Sequence, residues 1–192
     1  QMCLDFTNTL GGRRGGMTRE YLSSYADLVD WSRQAGIIGD NTAAYLLKEA
    51  ECRPDEAMLV LARACMFREA IYRIFAASIT GMQPAEADMS LLNAELGRAI
   101  SGAHIVPIAD NFSWEWSGDR HELDYMFAAI ARSVAELLTS PLRRQVRECM
   151  SDACSWLFVD TTKNHRRRWC TTTGCGNVAK VRRYRQRRSL TP

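Results

Sequence analysis

The sequence has no apolar run long enough to cross a membrane. Its most hydrophobic stretch, around Met58 to Ile79, is interrupted by Arg63, Arg68, Glu69 and Arg73, whereas a spanning helix needs about 18 or more unbroken apolar positions. The first residues lack the basic, apolar, small-residue order of a secretory signal, so a cytoplasmic location is expected. Histidine is scarce: His104, His121 and His165 are the only three, and none lies in a recognisable catalytic motif. No Ser or Cys has a base beside it in the sequence, and an enzyme is not expected. Seven cysteines, an odd number, do not suit a disulfide framework. The stretch Gly11-Gly12-Arg13-Arg14-Gly15-Gly16 lacks both the GKS/GKT ending and the G-x-G-x-x-G pattern. It reads as a flexible loop, not a phosphate cradle.

What is present is an ordinary globular composition, 46% hydrophobic and 24% charged over 192 residues. That length accommodates one moderate core and a small appendage. The net charge of +3 conceals a polarity: residues 1–148 carry −5 and residues 149–192 carry +8. A basic end on a mildly acidic body points to a polyanionic partner.

Apolar periodicity predicts helices over about Arg19–Ala35, from Asp40 onward, from Pro54 to about Thr80, over Ala87–Ile100, and over about Glu122–Thr139. Pro54 suits a first helical position and Gly81 a C-terminal stop. Between the last two helices, HIVPIADNFSWEW alternates apolar and polar residues and predicts a β-hairpin turning at Asp110-Asn111. Pro107 places its strand at an edge. Trp114 and Trp116 read as packing residues. Pro141 marks the boundary. The expected architecture is mainly α: a multihelical domain with one β-hairpin over residues 1–140, then a small zinc-binding module of hairpin and helix over 141–192.

The most informative residues lie in that second part. Cys149, Cys154, Cys170 and Cys175 form two C-x4-C pairs separated by fifteen residues. Four thiolates satisfy the tetrahedral demand of one structural zinc ion per chain and leave no open position for catalysis. Cys3, Cys52 and Cys65 sit among apolar neighbours and read as small buried thiols. Trp156 to Val159 predict a strand, Arg166 to Trp169 its returning partner, and Asn177 onward a helix with Ala179, Val181 and Tyr184 turned inward. Gly174 and Gly176 let the second knuckle bend.

This region resembles the CGNR zinc-finger family. The likeness rests on Cys149-x4-Cys154, Trp156-Leu157-Phe158, Asp160, Arg167-Arg168-Trp169-Cys170, Cys175-Gly176-Asn177 and Lys180. The N-terminal part is similar to the ABATE domain that precedes such fingers, through Leu4-Asp5-Phe6, Asn8-Thr9-Leu10, Asp27-Leu28-Trp31, Arg68-Glu69-Ala70 and Leu137-Leu138. The resemblance implies a stress-induced transcription regulator, or an RNA-binding protein. One position departs from the pattern: Val178 stands where the family motif has Arg.

The expected contact surface for nucleic acid is Arg166, Arg167, Arg168, Lys180, Arg182, Arg183, Arg185, Arg187 and Arg188. DNA is expected ahead of RNA as the partner, although the tail, in which stacking aromatics are sparse, does not itself decide between them. The alternative is a protein-interaction adaptor in which zinc only staples the module. One short helix reads few bases, which favours a homodimer with the hairpin edge or an exposed helix face as its seam. In the helical domain, Asp5, Asn8, Trp31 and Arg68 are the candidate ligand or structural cluster. Asp5 and Arg68 form either a buried pair or part of a small-molecule pocket.

Overall fold

The structure is a computed structural model that describes residues 1–15, 18–116 and 122–189, the side chains of 114–116 and 187–189 excepted. The described residues form seven α-helices and three two-stranded antiparallel sheets. The central element is α4, Pro54–Thr80, with Pro54 in its first turn beside Asp55 and Glu56. Acidic residues there complement the exposed amides of a helix start. Gly81 ends the helix at φ 72°, a left-handed conformation that costs glycine little. The stripe Ala57, Val60, Ala64, Phe67, Ile71 and Ile74 recurs every three or four residues and is buried, together with Phe75. Each such phenylalanine contributes about 2–3 kcal/mol of apolar transfer.

Five helices surround that stripe: α1 (Met2–Thr7), α2 (Tyr25–Gln34), α3 (Asp40–Cys52), α5 (Glu86–Ser101) and α6 (Phe127–Thr139). The N-terminal segment is therefore a short helix. Leu4 and Phe6 pack in the main core, and Asn8 forms the helix end. The glycine-rich stretch leaves a two-residue strand β1 (Leu10–Gly11), which pairs with β2 (Arg19–Glu20). The helix expected from Arg19 begins only at Tyr25. Ser24 accepts a bond from the Asp27 amide while the Asp27 carboxylate accepts from the Ser24 amide, a reciprocal cap that fixes the start. The last body helix begins at Phe127, not Glu122.

The expected hairpin is present as β3 (Ala103–Ile108) and β4 (Asn111–Trp116), with Ile108 opposite Asn111. Its turn is Ala109-Asp110, one residue earlier than expected, with Ala109 at φ 51°. His121 lies outside the described residues.

The C-terminal part departs from expectation in its strand pairing. A 3-10 turn, Pro141–Gln145, leads into β5 (Val146–Glu148), and β6 (Leu157–Val159) pairs with β5. Residues 166–169 form no strand. Asp160 takes their place in organising the chain: its carboxylate accepts from the Arg167 amide at 2.8 Å and from the Thr162 amide at 3.0 Å. The amides that a returning strand would donate to β6 are thus bound to a side chain. Along β6, Leu157 belongs to the helical core and Phe158 to a second cluster around the cysteines. The two-residue period of a strand lets one short segment serve both.

Candidate metal centre and nucleic-acid interface

Cys149 follows β5, and Cys154 closes the first knuckle with its amide bonded to the Ser151 carbonyl at 3.0 Å. The Cys149 amide donates to the Trp156 carbonyl and the Met150 amide to the Arg168 carbonyl, both at 2.9 Å. These bonds fasten the first knuckle to both chain segments that bracket it. A π-helical turn, Thr172–Gly176, carries Cys175 and runs directly into α7 (Asn177–Ser189). The Thr171 hydroxyl accepts the Gly174 amide at 3.2 Å and caps that turn. Neither glycine of the turn has a positive φ. Their need is for space: a Cβ on Gly174 would stand 2.5 Å from Thr171 Oγ1, and one on Gly176 3.2 Å from Trp169 Cδ1.

The four sulfurs lie within 4.8 Å of one another. Cys154 and Cys170 Sγ are 3.9 Å apart, and Cys170 and Cys175 Sγ 3.6 Å. A tetrahedron with metal–sulfur bonds of about 2.3 Å has edges of about 3.8 Å, so the cage has the size zinc requires. Its electrostatics also call for a cation. Burial raises the Cys154 thiol to about 11, and burial together with the charge of Cys154 raises Cys170. Burial opposes ionisation of Cys149 too, but the Cys170 and Ser151 amides outweigh it and lower its pKa. Without a metal the cluster keeps protons that four zinc-bound thiolates would lose. Phe158, Trp156 and Trp169 pack around the sulfurs and limit access of water.

The basic residues divide into two groups. Arg167 is turned into the module: its Nε donates to the Trp169 carbonyl at 2.9 Å, its Nη2 to the Cys170 carbonyl, and its guanidinium lies 4.5 Å over the Phe158 ring. Arg168 reaches Met150 Sδ at 3.3 Å and covers Trp169. Arg182 pairs with Asp152 across the knuckle. Arg166, Lys180, Arg183 and Arg185 are exposed. The side chains of Arg187 and Arg188 lie outside the described ones. Val181 and Tyr184 do not turn inward: they are exposed, as is Val178, because α7 rests on the π-helical turn and lies beyond the reach of either core.

The four residues singled out in the helical body part company. Arg68 is buried and pairs with Glu20, Nη1 to Oε1 at 2.6 Å and Nη2 to Oε2 at 2.7 Å, and with Glu69 at 2.9 Å. The expected Asp5–Arg68 pair does not form. Asp5 is exposed and accepts a bond from the Gln1 amino group at 3.3 Å. Asp5, Asn8 and Trp31 instead line one cleft of about 470 Å³, which Trp156 of the cysteine module also lines.

Asn8 has a further role. Its Nδ2 donates to the Leu157 carbonyl at 2.9 Å, and its Oδ1 accepts the Leu157 amide at 2.8 Å. The side chain thus acts as one more β-rung on the open edge of β6. Sequence reasoning missed the rest of this seam. The Arg13 guanidinium binds Glu69 at 3.0 Å and covers the Tyr72 ring, while its amide donates to Ser155. Arg14 binds the Cys149 carbonyl and Glu148, and the Tyr72 hydroxyl donates to Glu148 at 2.7 Å. The arginines of the supposed flexible loop are consumed in joining body to module. The pair of arginines inside a glycine run was the available signal.

Among the described residues no helix is long and apolar enough to cross a membrane. A family model, ABATE, described as "Putative stress-induced transcription regulator", matches residues 1–141, and the CGNR zinc finger model matches residues 145–188. No curated protein matches the chain. The cage supplies the metal chemistry that the second match requires, and its four cysteines are the ligands of one zinc ion. With more than half of its length matched, the chain belongs to the ABATE family and carries a CGNR zinc finger after the helical body.

Proposed function

We propose that the protein is a cytoplasmic transcription regulator, without catalytic activity, that binds nucleic acid through its zinc module and α7. DNA is the preferred polymer. The supporting observation is the position of α7: it starts two residues after the fourth zinc ligand and keeps Lys180, Arg183 and Arg185 exposed. Zinc then sets the direction of a cationic helix whose binding energy comes from counterion release. The helical body serves as the sensing or dimerising part, coupled to the finger through the Asn8–Leu157 and Arg14–Glu148 contacts.

A salt series of duplex DNA and RNA binding tests this reading. Five to eight engaged phosphates give a slope of about −4.5 to −7 in log K against log salt on duplex DNA, and replacing Lys180, Arg183 and Arg185 by Ala makes it shallower by about 3. An unchanged slope in the zinc-loaded triple variant, or no binding at low salt, defeats it. One observation favours a second reading, a protein-interaction adaptor: Val178 and Tyr184 on the same helix are 62% and 60% exposed. That reading predicts an acidic protein partner that tolerates loss of DNA affinity but not Tyr184→Ala.

A further inference from the structure

The cleft between α1, α2 and the zinc module has a composition that selects its ligand. It is lined by Asp5, Asp27 and Asp30 together with Tyr21, Trp31 and Trp156, and no Lys or Arg contributes to its wall. At about 470 Å³ it lies in the range of small-molecule sites, roughly 300–1,000 Å³. Asp5 is paired with the Gln1 amino group at 3.3 Å and Asp30 with Arg33 at 3.4 Å, both at exposed positions; the lining itself carries three carboxylates and no cation, which disfavours phosphates and carboxylates as ligands. They do not gather as a metal site either. Among the described residues, the four cysteines are the one group of three or more such side chains placed to hold a metal ion. Spread acidic groups with aromatic walls match a bulky cation of diffuse charge.

We propose that this cleft binds a small organic ammonium ion, held against the indoles of Trp31 and Trp156 and neutralised by Asp5 and Asp30. Both tryptophans are half-buried, so each is fixed by its neighbours and still reaches the cleft. Trp31 packs on Phe6 with ring centroids 5.0 Å apart. The Trp156 carbonyl accepts the Cys149 amide at 2.9 Å. The Tyr21 ring is already covered by the Arg19 guanidinium at 4.8 Å, which leaves the two indoles for the ligand. Asp27 is engaged, its Oδ2 accepting from the Ser23 and Ser24 amides, and contributes charge only. Asp30 is open, with one exposed partner, Arg33, at 3.4 Å.

The location gives the site a consequence. One wall, Trp156, is bonded through its backbone to the first zinc ligand, and another, Asn8, is bonded to Leu157 of β6. A ligand that draws Trp156 toward Trp31 acts on the backbone that orients the first knuckle. That the signal reaches nucleic acid rests on the function proposed above. The binding itself does not, and it is measured without nucleic acid.

The experiment titrates the zinc-loaded chain with choline, with putrescine, and with 3,3-dimethylbutan-1-ol, the uncharged isostere of choline, and follows tryptophan fluorescence. The expected result is saturable quenching by at least one of the two cations below about 10 mM, and none by the alcohol. Asp5→Asn with Asp30→Asn, both at exposed positions, weakens that binding about tenfold while leaving zinc content and melting temperature unchanged. Trp31→Ala abolishes it. The proposal fails if neither cation saturates, if the alcohol binds as well as choline, or if the folded double Asn variant binds the cation undiminished.

Discussion

The helical body and the zinc module solve the problem of a stable interior in different ways. Around α4, the body removes Phe67, Phe75, Ile71 and Ile74 from water almost completely. Its stability is distributed over many apolar contacts, each of which can be lost singly. The module from Cys149 to Cys175 has for its core four sulfurs, Phe158 and parts of two indoles. So little apolar area cannot offset the entropy of ordering its chain, and a metal must supply the difference. The two solutions meet in β6, where Leu157 faces one interior and Phe158 the other. A body held by apolar contacts and an appendage held by zinc should therefore respond to different perturbations.

The largest contrast is expected from removing the metal. Structural zinc contributes on the order of 10–16 kcal/mol in finger-sized units. Chelation, or Cys170→Ser, should release zinc, collapse the amide dispersion of residues 149–189, and leave the circular dichroism of α2 to α6 nearly intact. A cooperative loss of all helicity on chelation would show that the body depends on the finger. Next comes the converse cut. Phe67→Ala leaves a cavity in the body core and should cost about 3–5 kcal/mol, seen as a lower urea midpoint. Zinc stoichiometry of the folded fraction should stay at one.

Acid separates the regions in a third way. Burial alone would raise the Glu95 carboxyl, but bidentate bonds from Arg63 (2.8 and 2.5 Å) and a bond from Arg98 hold it below its ordinary 4.5. Glu20 and Glu69 are lowered in the same manner by Arg68 and Arg13. A carboxylate whose folded pKa lies below its unfolded one contributes fully above about 4.5, and that contribution is lost as the pH falls toward the folded value. Body stability should thus decline below about pH 4.5. Glu95→Gln should cost about 2 kcal/mol at pH 7 and flatten that decline. Zinc should leave at higher pH, because protons compete directly for thiolates. If zinc release and body unfolding coincide in a pH titration, the two regions are one cooperative unit.

How much of this was legible beforehand follows the same division. The zinc ligands were readable from two C-x4-C spacings, because tetrahedral coordination by neighbouring thiolates is a local demand. The bounds of α4 were readable as well, from Pro54 at one end and Gly81 at the other. Choices among distant partners were not. Asp5 was the acidic candidate for Arg68, and nothing local shows that the fold brings Glu20 to it instead. The strand partner of β6 was sought downstream, whereas β5 lies upstream of Cys149 and Asp160 diverts the downstream amides. Six residues of α1 are too few to show a helical period. Arg167 looked like one cation of three in a row, and nothing local tells that its guanidinium would be spent on the Trp169 and Cys170 carbonyls.

Asn8 tests whether the seam is more than adjacency. Its side chain makes two bonds to the Leu157 backbone, so Asn8→Ala should cost about 1–3 kcal/mol. Hydrogen exchange at the Leu157 amide should quicken, and the zinc dissociation rate should rise. An Asn8→Ala protein with unchanged zinc kinetics would mean that body and finger touch without coupling.

The smallest expected effect concerns the one departure from the family motif. Val178 sits in the first turn of α7 and is 62% exposed, so a longer side chain meets no steric obstacle. Helix stability should change little, since Arg is a better helix former than Val by a few tenths of a kcal/mol. Val178→Arg should therefore leave melting temperature and zinc content unaltered. If the motif's Arg reaches phosphate, the slope of log K against log salt should steepen by about 0.9, one more counterion released. If the slope is unchanged, the side of α7 that carries Val178 faces away from the polymer. The contact surface then begins at Lys180 and follows the opposite side of the helix.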